Sequence, residues 1–388
     1  MDFISFSKSI PDFRFDRKKV HPSEVIVYIT LAAVICDAQT WEDVEAFGEC
    51  KFDYFKSVFP YLESIPSHDT FNRFFSLLKP TVVEEKFRQW VQIICKDYKG
   101  VVAIDGKTNK GALYSEEEKE LRGTMYRPGS PRYYIHTISA WAADNHLSLG
   151  QLKVEEKSNE ITAIPKLINA IDVKGTTVTI DAIGCQKEIA KTIRKNEADY
   201  VLAVKKNQKL LYKSIESYYK DKHWQREIPT QIDLYETYEK SHGRIEERLC
   251  IVCDNLWWLH KHKEWEGIKS FTILHTKRTL PGVNGPVYQE ETRYYISSLL
   301  LNAENIYRAV RSHWAIENNL HWQLDVTFRE DDDRKRNNAA QNFSLIAKMA
   351  LSALKNYTTL KTSIRTKRKA AGWSDQHLHN LMTMEWNF

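Results

Sequence analysis

The segment that begins at residue 100 constrains the fold more than any other part of the chain, because strand-like and helix-like stretches follow one another there in a regular order. Three apolar, strand-like stretches come first: YKGVVAIDGKT, YYIHTISAWAA and LSLGQLKVEEKS. A helical stretch over 159–170, the strand TTVTIDA, the helix GCQKEIAKTIRKNE and the strand DYVLAVK follow, and another helix begins near Asn207. The order is therefore β-β-β-α-β-α-β-α.

This order predicts an α/β domain of the ribonuclease-H-like class, in which three neighbouring antiparallel strands precede alternating helices and strands. Residues 221–300 break the alternation with further strand-like stretches and the turn PGVNGP, so we expect a mainly β insertion there. Helical patterns return over 302–322 and 338–355. The predicted domain spans residues 98–360.

Residues 1–97 have the pattern of a small helical N-terminal domain. Pro22-Ser23-Glu24 precedes the apolar stretch VIVYITLAAVICDA as a helix start, and later apolar residues recur at spacings of three and four. Arg73 lies on one of these helices and leaves two interpretations open. The domain contains a DNA-binding helix pair, or it simply packs on the domain that follows.

The composition excludes several classes of protein. With 42% hydrophobic residues among 388, the chain can form sizeable cores and is not intrinsically disordered. Its longest nearly unbroken apolar run, 25–36, is shorter than the ~20 residues that a membrane helix needs. No secretory signal is visible, and six cysteines are too sparse for a disulfide scaffold. We therefore expect a cytoplasmic protein with reduced thiols.

The net charge of +5 is too small by itself to predict a nucleic-acid partner. Most of the excess lies in the last quarter of the chain, which ends in a basic segment over 361–388. The run Arg365-Thr366-Lys367-Arg368-Lys369 in this segment has two interpretations, a sequence-independent phosphate patch or a solvated tail.

Two aspartates follow predicted strands of the α/β region. Asp105 ends the strand VVAID, and Asp181 ends the strand TVTID. If these strands are neighbours, the two carboxylates converge at the edge of the sheet, where hard oxygen ligands can bind Mg²⁺. Glu317 in HWAIENNLHW is the candidate third acid, with His313 and His321 four residues away on either side. Alternatively, Glu317 is a surface acid that pairs with Arg311 or His321.

Several longer segments occur in an order that is characteristic of one protein family. They are AIDGKT, VEEKSNEITAIP, TIDAIGCQKEIA, ADYVLAVKKNQ, SHGRIEER, RYYISSL and HWAIENNLHWQLDVTFRED. Together with the helical region 9–97, they make the chain resemble insertion-sequence transposases of the DDE class, in the branch of the H-repeat-associated proteins. The resemblance covers nearly the whole chain.

This resemblance implies that Asp105, Asp181 and Glu317 are the catalytic, metal-binding acids. Two Mg²⁺ or Mn²⁺ ions would be held there, with Asp105 bridging them. The implied activity is cleavage of double-stranded DNA at the terminal repeats of an insertion sequence and strand transfer into target DNA. A homodimer on DNA, associated with the bacterial nucleoid, would be the working form. The alternatives are a catalytically silent, DNA-binding descendant and a plain structure-selective nuclease.

The chain departs from a signature that related transposases often carry, in which an arginine stands four residues before the glutamate and a lysine seven residues after it. His313 and Leu324 occupy these positions here. His313 or Arg311 is therefore the candidate for the phosphate contact, and the role of the missing lysine stays unassigned. Asp325 competes with Glu317 as the third acid.

Further candidates for DNA contact are basic residues near the predicted strand ends and in the insertion. Each has an ordinary alternative as a solvated loop, a helix cap or a charge-balanced hairpin. The candidates are Lys107, Lys110, Lys205, Lys206 and Arg244. In the insertion, Trp257 and Trp258 stand beside Lys261 and Lys263, a composition that suits stacking on unpaired bases.

Overall fold

A single nine-stranded mixed sheet organises the protein. The structure is a computed structural model that describes residues 2–14, 19–96, 98–114, 133–154, 159–241, 243–282, 285–386 and 388. The strand order is β3-β2-β1-β4-β5-β9-β8-β7-β6. The strands are β1 (Val101–Tyr114), β2 (Tyr133–Ala142), β3 (Leu147–Lys153), β4 (Thr177–Ile180), β5 (Asp199–Val204), β6 (Ile232–Ser241), β7 (Arg244–Cys253), β8 (Ser270–Leu280) and β9 (Val287–Ser297).

The middle of the sheet contains short parallel strands that are rich in β-branched residues and buried by helices. β4 pairs in parallel with β1 on one side and with β5 on the other, whereas β1, β2 and β3 are antiparallel. Near-continuous apolar runs such as YVLAV in β5 are typical of strands that are covered on both faces. The prediction of a mixed α/β fold is confirmed.

The β insertion continues the same sheet. β9 pairs antiparallel with β5, and the long hairpin strands β8, β7 and β6 follow in order. Ile296 and Phe271 at the inner end of this extension are buried, whereas the outer ends of β6 and β9 carry exposed residues. The insertion is thus anchored to the central sheet at one end and projects into solvent at the other.

Helices cover the sheet and form a layered core. They are α1 (Phe3–Ser9), α2 (Ser23–Ile35), α3 (Trp41–Cys50), α4 (Phe52–Val58), α5 (His68–Leu77), α6 (Pro80–Ile94), α7 (Glu160–Ala170), α8 (Lys187–Lys195), α9 (Lys209–Lys220), α10 (Ala303–Ala315), α11 (Trp322–Val326), α12 (Asn337–Asn356), α13 (Ile364–Trp373) and α14 (Asp375–Met382). α12 is buried over most of its length, and α2, α5 and α6 all pack against it. Within the described ranges, no helix is both long and apolar enough to cross a membrane.

The basic C-terminal segment is not a solvated tail, which corrects one sequence-based interpretation, whereas a phosphate patch formed by its exposed residues Arg365 and Lys369 stays a prediction. Its run of basic residues lies in α13, where Lys367 and Arg368 are buried. Lys367 Nζ donates to the carbonyl oxygens of Leu354 and Tyr357 at 2.8 and 2.6 Å. Arg368 is 1% exposed, and its guanidinium stacks 4.0 Å from the Phe328 ring centroid. Charge alone could not predict this, because the partners of Lys367 are backbone carbonyls rather than acidic side chains.

A buried polar chain joins the N-terminal helices to the sheet. Lys348 on α12 donates to the side-chain oxygen of Gln151 on β3, and Glu84 on α6 lies beside both. Burial raises the pKa of the Glu84 carboxyl to about 7 and lowers the pKa of the Lys348 ammonium to about 8. The two groups therefore titrate close to neutral pH.

Replacing Glu84 with Gln should stabilise the protein at pH 8 and not at acidic pH. In the folded protein the carboxyl keeps its proton until about pH 7, whereas its ordinary pKa is 4.5. Between these pH values the folded state binds more protons than the unfolded state, so stability falls as pH rises through this window. E84Q removes this loss, which amounts to at most about 3 kcal/mol. Urea unfolding of both proteins at several pH values would test this, and an effect independent of pH would contradict it.

Candidate active site

Asp105 and Asp181 occupy equivalent places on neighbouring strands. β1 and β4 pair in parallel from Val101↔Thr177 to Ile104↔Ile180, and each aspartate is the next residue after the last pair. Asp181 follows β4 directly, as expected. Asp105 does not end its strand, because β1 continues to Tyr114 as the antiparallel partner of β2. The site therefore lies where β1 and β4 separate.

The two aspartates have opposite electrostatic environments. Although burial opposes the ionisation of Asp105, the neighbouring His321 and His313 lower the pKa of its carboxyl. His321 Nδ1 lies 3.4 Å from Asp105 Oδ2. Burial and the charge of Asp105 raise the pKa of Asp181, whose carboxylate accepts a 3.0 Å hydrogen bond from the Ile183 backbone N–H. Two neighbouring carboxylates that repel each other are a suitable place for a cation.

Glu317 lies in an irregular part of the helix that crosses the site. α10 ends at Ala315, residues Ile316–His321 form a π-helical turn, and α11 follows without a break. Such turns widen the helix by one residue per turn and are common at functional sites. No proline or glycine in the segment predicts it, and the sequence pattern favours one regular helix over 302–322. The π turn gives Glu317 and His321 different facing directions from those of a regular helix.

His313 connects the helix to the acids. Its Nδ1 lies 3.2 Å from Thr179 Oγ1 on β4, which fixes the ring over the central strands. Burial lowers the pKa of His313, although the charges of Asp105, Asp181 and Glu317 favour its protonation. All three predicted acids are therefore close enough to this one imidazole to affect it.

Glu317 does not have the partners that an ordinary surface acid would have. His321 is beside Asp105, and Arg311 lies among Arg248, Glu239 and Arg278 on the side of the insertion. Glu317 is exposed, and it forms no ion pair or side-chain hydrogen bond with any residue in the part of the chain that the structure describes. The alternative, in which Glu317 pairs with Arg311 or His321, is wrong.

Asp325, the competing third acid, is already paired. Its Oδ1 lies 2.7 Å from Lys107 Nζ, which also lies 2.5 Å from Glu330 Oε2. Glu330 is buried and in turn accepts a 2.5 Å hydrogen bond from Ser344 on α12. Although burial disfavours the charged ammonium, Glu330 and Asp325 raise the pKa of Lys107. The ammonium thus faces carboxylates in the interior, which differs from the phosphate contact predicted for Lys107.

The donor set suits a hard divalent cation, although it is not assembled into a complete ligand cage. Asp105, Asp181 and Glu317 all offer carboxylate oxygens, the ligands that Mg²⁺ and Mn²⁺ prefer. Among the described residues, no three His, Cys, Asp or Glu side chains are in an arrangement that could hold a metal ion. Burial and then the neighbouring negative charge of Asp105 raise the pKa of Asp181, so a cation between the two carboxylates would be favourable. In chemical type, though not in assembled geometry, the three carboxylates fit a divalent cation.

A further acid, which the sequence analysis missed, lies beside Asp181. Glu160 is the first residue of α7, and its Oε1 is 2.7 Å from His136 Nε2 on β2. The pair lies directly over Gly106, where a Cβ atom would come within 2.2 Å of Glu160 Oε1. Its charge contributes to the raised pKa of Asp181. In the sequence, only Asn159 could have indicated the position of Glu160, because it caps α7 and so places Glu160 in the first turn of that helix.

Lys205 and Lys206 lie on the other side of Asp181, between β5 and α9. Both side chains are exposed, and neither has an ion-pair partner within the described part of the chain. The next two residues hold this segment against the loop after Asp181: Asn207 Nδ2 donates to the Ala182 carbonyl oxygen at 2.5 Å, and Gln208 Nε2 to that of Cys185 at 2.9 Å. The segment that carries these lysines is therefore attached to the loop that follows Asp181.

The remaining predicted residues lie farther from the acids or are already paired. Arg244 is half exposed and lies 3.3 Å from Glu246, which also pairs with Arg248 and Arg278, as in the charge-balanced hairpin alternative. The side chain of Lys110 lies outside the described residues. Trp258 stacks on Tyr218 with ring centroids 4.7 Å apart, so only Trp257, which is 78% exposed, could stack on a base.

Comparison with known proteins assigns the family. Residues 98–354 match the family described as Transposase DDE domain, and residues 4–91 match the DDE_Tnp_1-associated family. The H repeat-associated protein YhhI and the protein YbfL, both of Escherichia coli (strain K12), are 40% and 39% identical to the chain, each alignment covering 98% of this chain and 97% of the relative.

Among solved structures, a piggyBac transposase synaptic complex with hairpin DNA is similar to this chain. The alignment covers 99% of this chain and 78% of that chain, with a TM-score of 0.41 and 12% sequence identity. This similarity is too weak to identify a fold. The two family matches and the two relatives agree with each other. The chain belongs to the DDE insertion-sequence transposases, in the branch of the H-repeat-associated proteins.

Proposed function

We propose that the protein is an active transposase that cuts DNA at the terminal repeats of its element and joins the cut ends to target DNA. The observation that carries this proposal is the pair Asp105 and Asp181 at equivalent ends of paired parallel strands, with Glu317 exposed and unpaired near the same imidazole. The strand order β3-β2-β1-β4-β5 in the centre of the sheet supports the ribonuclease-H-like class for this domain.

In this mechanism the protein positions charge and no covalent enzyme intermediate forms. Water attacks the scissile phosphorus and releases a 3′-hydroxyl at the element end. That hydroxyl then attacks a phosphodiester of the target DNA, forms a new P–O bond and displaces the 3′-oxygen of the target strand. Two divalent cations, when bound by the three carboxylates, would activate the attacking oxygen and stabilise the leaving oxygen. His321 orients the Asp105 carboxylate, and His313 keeps an imidazole among the acids.

The partner in this proposal is double-stranded DNA. Lys205 and Lys206 are the best-placed phosphate contacts, because they are exposed, unneutralised within the described residues and attached to the Asp181 loop. Two element ends must be brought together for strand transfer, so we expect a homodimer on DNA. Light scattering with and without end DNA would measure this.

The proposal is tested with a labelled duplex that carries the repeats flanking the reading frame. Wild type should release a 3′ end only when Mg²⁺ or Mn²⁺ is present. Asp105→Asn should bind the same duplex without releasing any product, because one carboxylate of the aspartate pair is lost. The two proteins should have equal thermal stability in EDTA to within a few degrees, which separates loss of chemistry from loss of fold.

Two results would contradict the proposal. Binding without product formation on several end sequences would favour the catalytically silent descendant. Cleavage that ignores the repeats and yields no joined product would favour a structure-selective nuclease.

A further inference from the structure

A row of lysines continues beyond Lys205 and Lys206 onto the adjacent helix. We define the lysine ridge as Lys205, Lys206, Lys209 and Lys213, which extends from the end of β5 over the first two turns of α9. All four side chains are exposed. None of them has an ion pair or a side-chain hydrogen bond to another residue in the ranges that the structure describes.

The ridge differs from single exposed lysines because it groups four of them beside the loop that follows Asp181. Lys174 and Lys220 are just as exposed, yet each has a glutamate partner, Glu197 at 2.8 Å and Glu216 at 3.0 Å. Lys209 and Lys213 instead stand four residues apart on one helix, where like charges repel and destabilise the helix. The negative charges of an external polyanion would relieve this repulsion between Lys209 and Lys213.

The ridge has a fixed position relative to the acids. Asn207 and Gln208, within the ridge, donate to the carbonyl oxygens of Ala182 and Cys185 in the loop that follows Asp181. The lysines thus lead away from Asp181 along α9. Lys209 and Lys213 are about 6 Å apart along the helix axis, close to the ~7 Å that two nucleotide steps span on one strand of a duplex.

We propose that the lysine ridge binds the phosphate backbone of the duplex next to the scissile bond and guides it to Asp181. This inference rests on the proposed function and adds the path of the DNA. Lysine is a point charge without the planar fork of arginine, so the contact should be independent of base sequence. The predicted ligand is therefore any double-stranded DNA, with the terminal repeats recognised elsewhere.

The test compares the full-length variant K206Q/K209Q/K213Q with the matched control K174Q/K220Q/K261Q, which removes the same number of exposed lysines, each paired with a glutamate. The probe is a fluorescein-labelled duplex of random sequence, and the readout is anisotropy over a range of salt concentrations. Loss of three phosphate contacts should weaken binding at least about tenfold and reduce the slope of log K against log salt by about 2 to 3. The control should keep the wild-type slope.

Cleavage kinetics give a second, independent readout. The ridge variant should have a raised KM for DNA and a kcat within about threefold of wild type at saturating DNA, because uniform binding is lost and the chemistry is kept. Equal affinities and slopes for the ridge variant and the control would overturn the inference. If the wild type binds DNA with the expected slope of log K against log salt but never cuts it, the proposed function is contradicted and the inference about the lysine ridge is retained.

Discussion

Glu317→Gln should lose metal-dependent DNA cleavage by about a thousandfold or more, since the stabilisation of transition-state charge at such sites is worth several kcal/mol. Glu317 is the one predicted acid near His313 that has no ion pair or side-chain hydrogen bond among the described residues, so its carboxylate is free to complete the donor set. The variant should also bind Mn²⁺ at least about tenfold more weakly, which electron paramagnetic resonance of free Mn²⁺ measures without any turnover.

Asp325→Asn is the matched control for this prediction, because Asp325 is the other acid on the same helical segment. Its carboxylate is paired with Lys107 and is half exposed, so the substitution should cost about 1 kcal/mol of stability. Cleavage should stay within about tenfold of wild type, and Mn²⁺ affinity should be unchanged. If D325N is folded but inactive, and E317Q is active, then Asp325 and not Glu317 is the third acid.

Much of the fold follows from local patterns in the sequence. The alternation of apolar runs with helical spacing predicts β1 to β5 and α7 to α9 in the correct order, because strands covered on both faces must be continuously apolar. The pairing of β9 with β5 is not local. It depends on which edge strand of the sheet is still unpaired after β5 has formed, and the periodicity of apolar residues in β9 does not indicate which strand it will pair with.

In the candidate active site, too, some features could be predicted from the sequence and others could not. The convergence of Asp105 and Asp181 could be predicted because each comes directly after a recognisable apolar run, and these two runs pair in parallel, although β1 itself continues past Asp105. The π turn that carries Glu317 could not, since no proline or glycine marks it and its contacts are with β1, which lies far away in the sequence. The partners of Lys107 were equally hidden, because Glu330 lies in an acidic run that looks solvent-exposed in the sequence and is buried in the fold.

Lys107→Met should destabilise the protein by about 3–5 kcal/mol, the usual effect of removing one partner of a buried ion pair. Only 10% of the Lys107 side chain and 7% of the Glu330 side chain are exposed, so water cannot compensate Glu330 when the ammonium is lost. Urea unfolding at neutral pH measures the change. Lys261→Met removes a lysine from an exposed pair with Glu264 and should change stability by less than about 1 kcal/mol.

The double variant K107M/E330Q separates an unpaired charge from lost packing. If the destabilisation comes from leaving Glu330 ionised and buried, the neutral glutamine should restore part of the stability, and the two substitutions should be clearly non-additive.

Lys107 follows Asp105 on β1 and contacts Asp325, which follows the π turn. The buried Lys107–Glu330 pair, which D325N leaves intact, also links β1 to the segment that follows the π turn, so K107M should lose cleavage even where it remains folded. Additive effects, with cleavage retained by folded K107M, would mean that Lys107 contributes only packing.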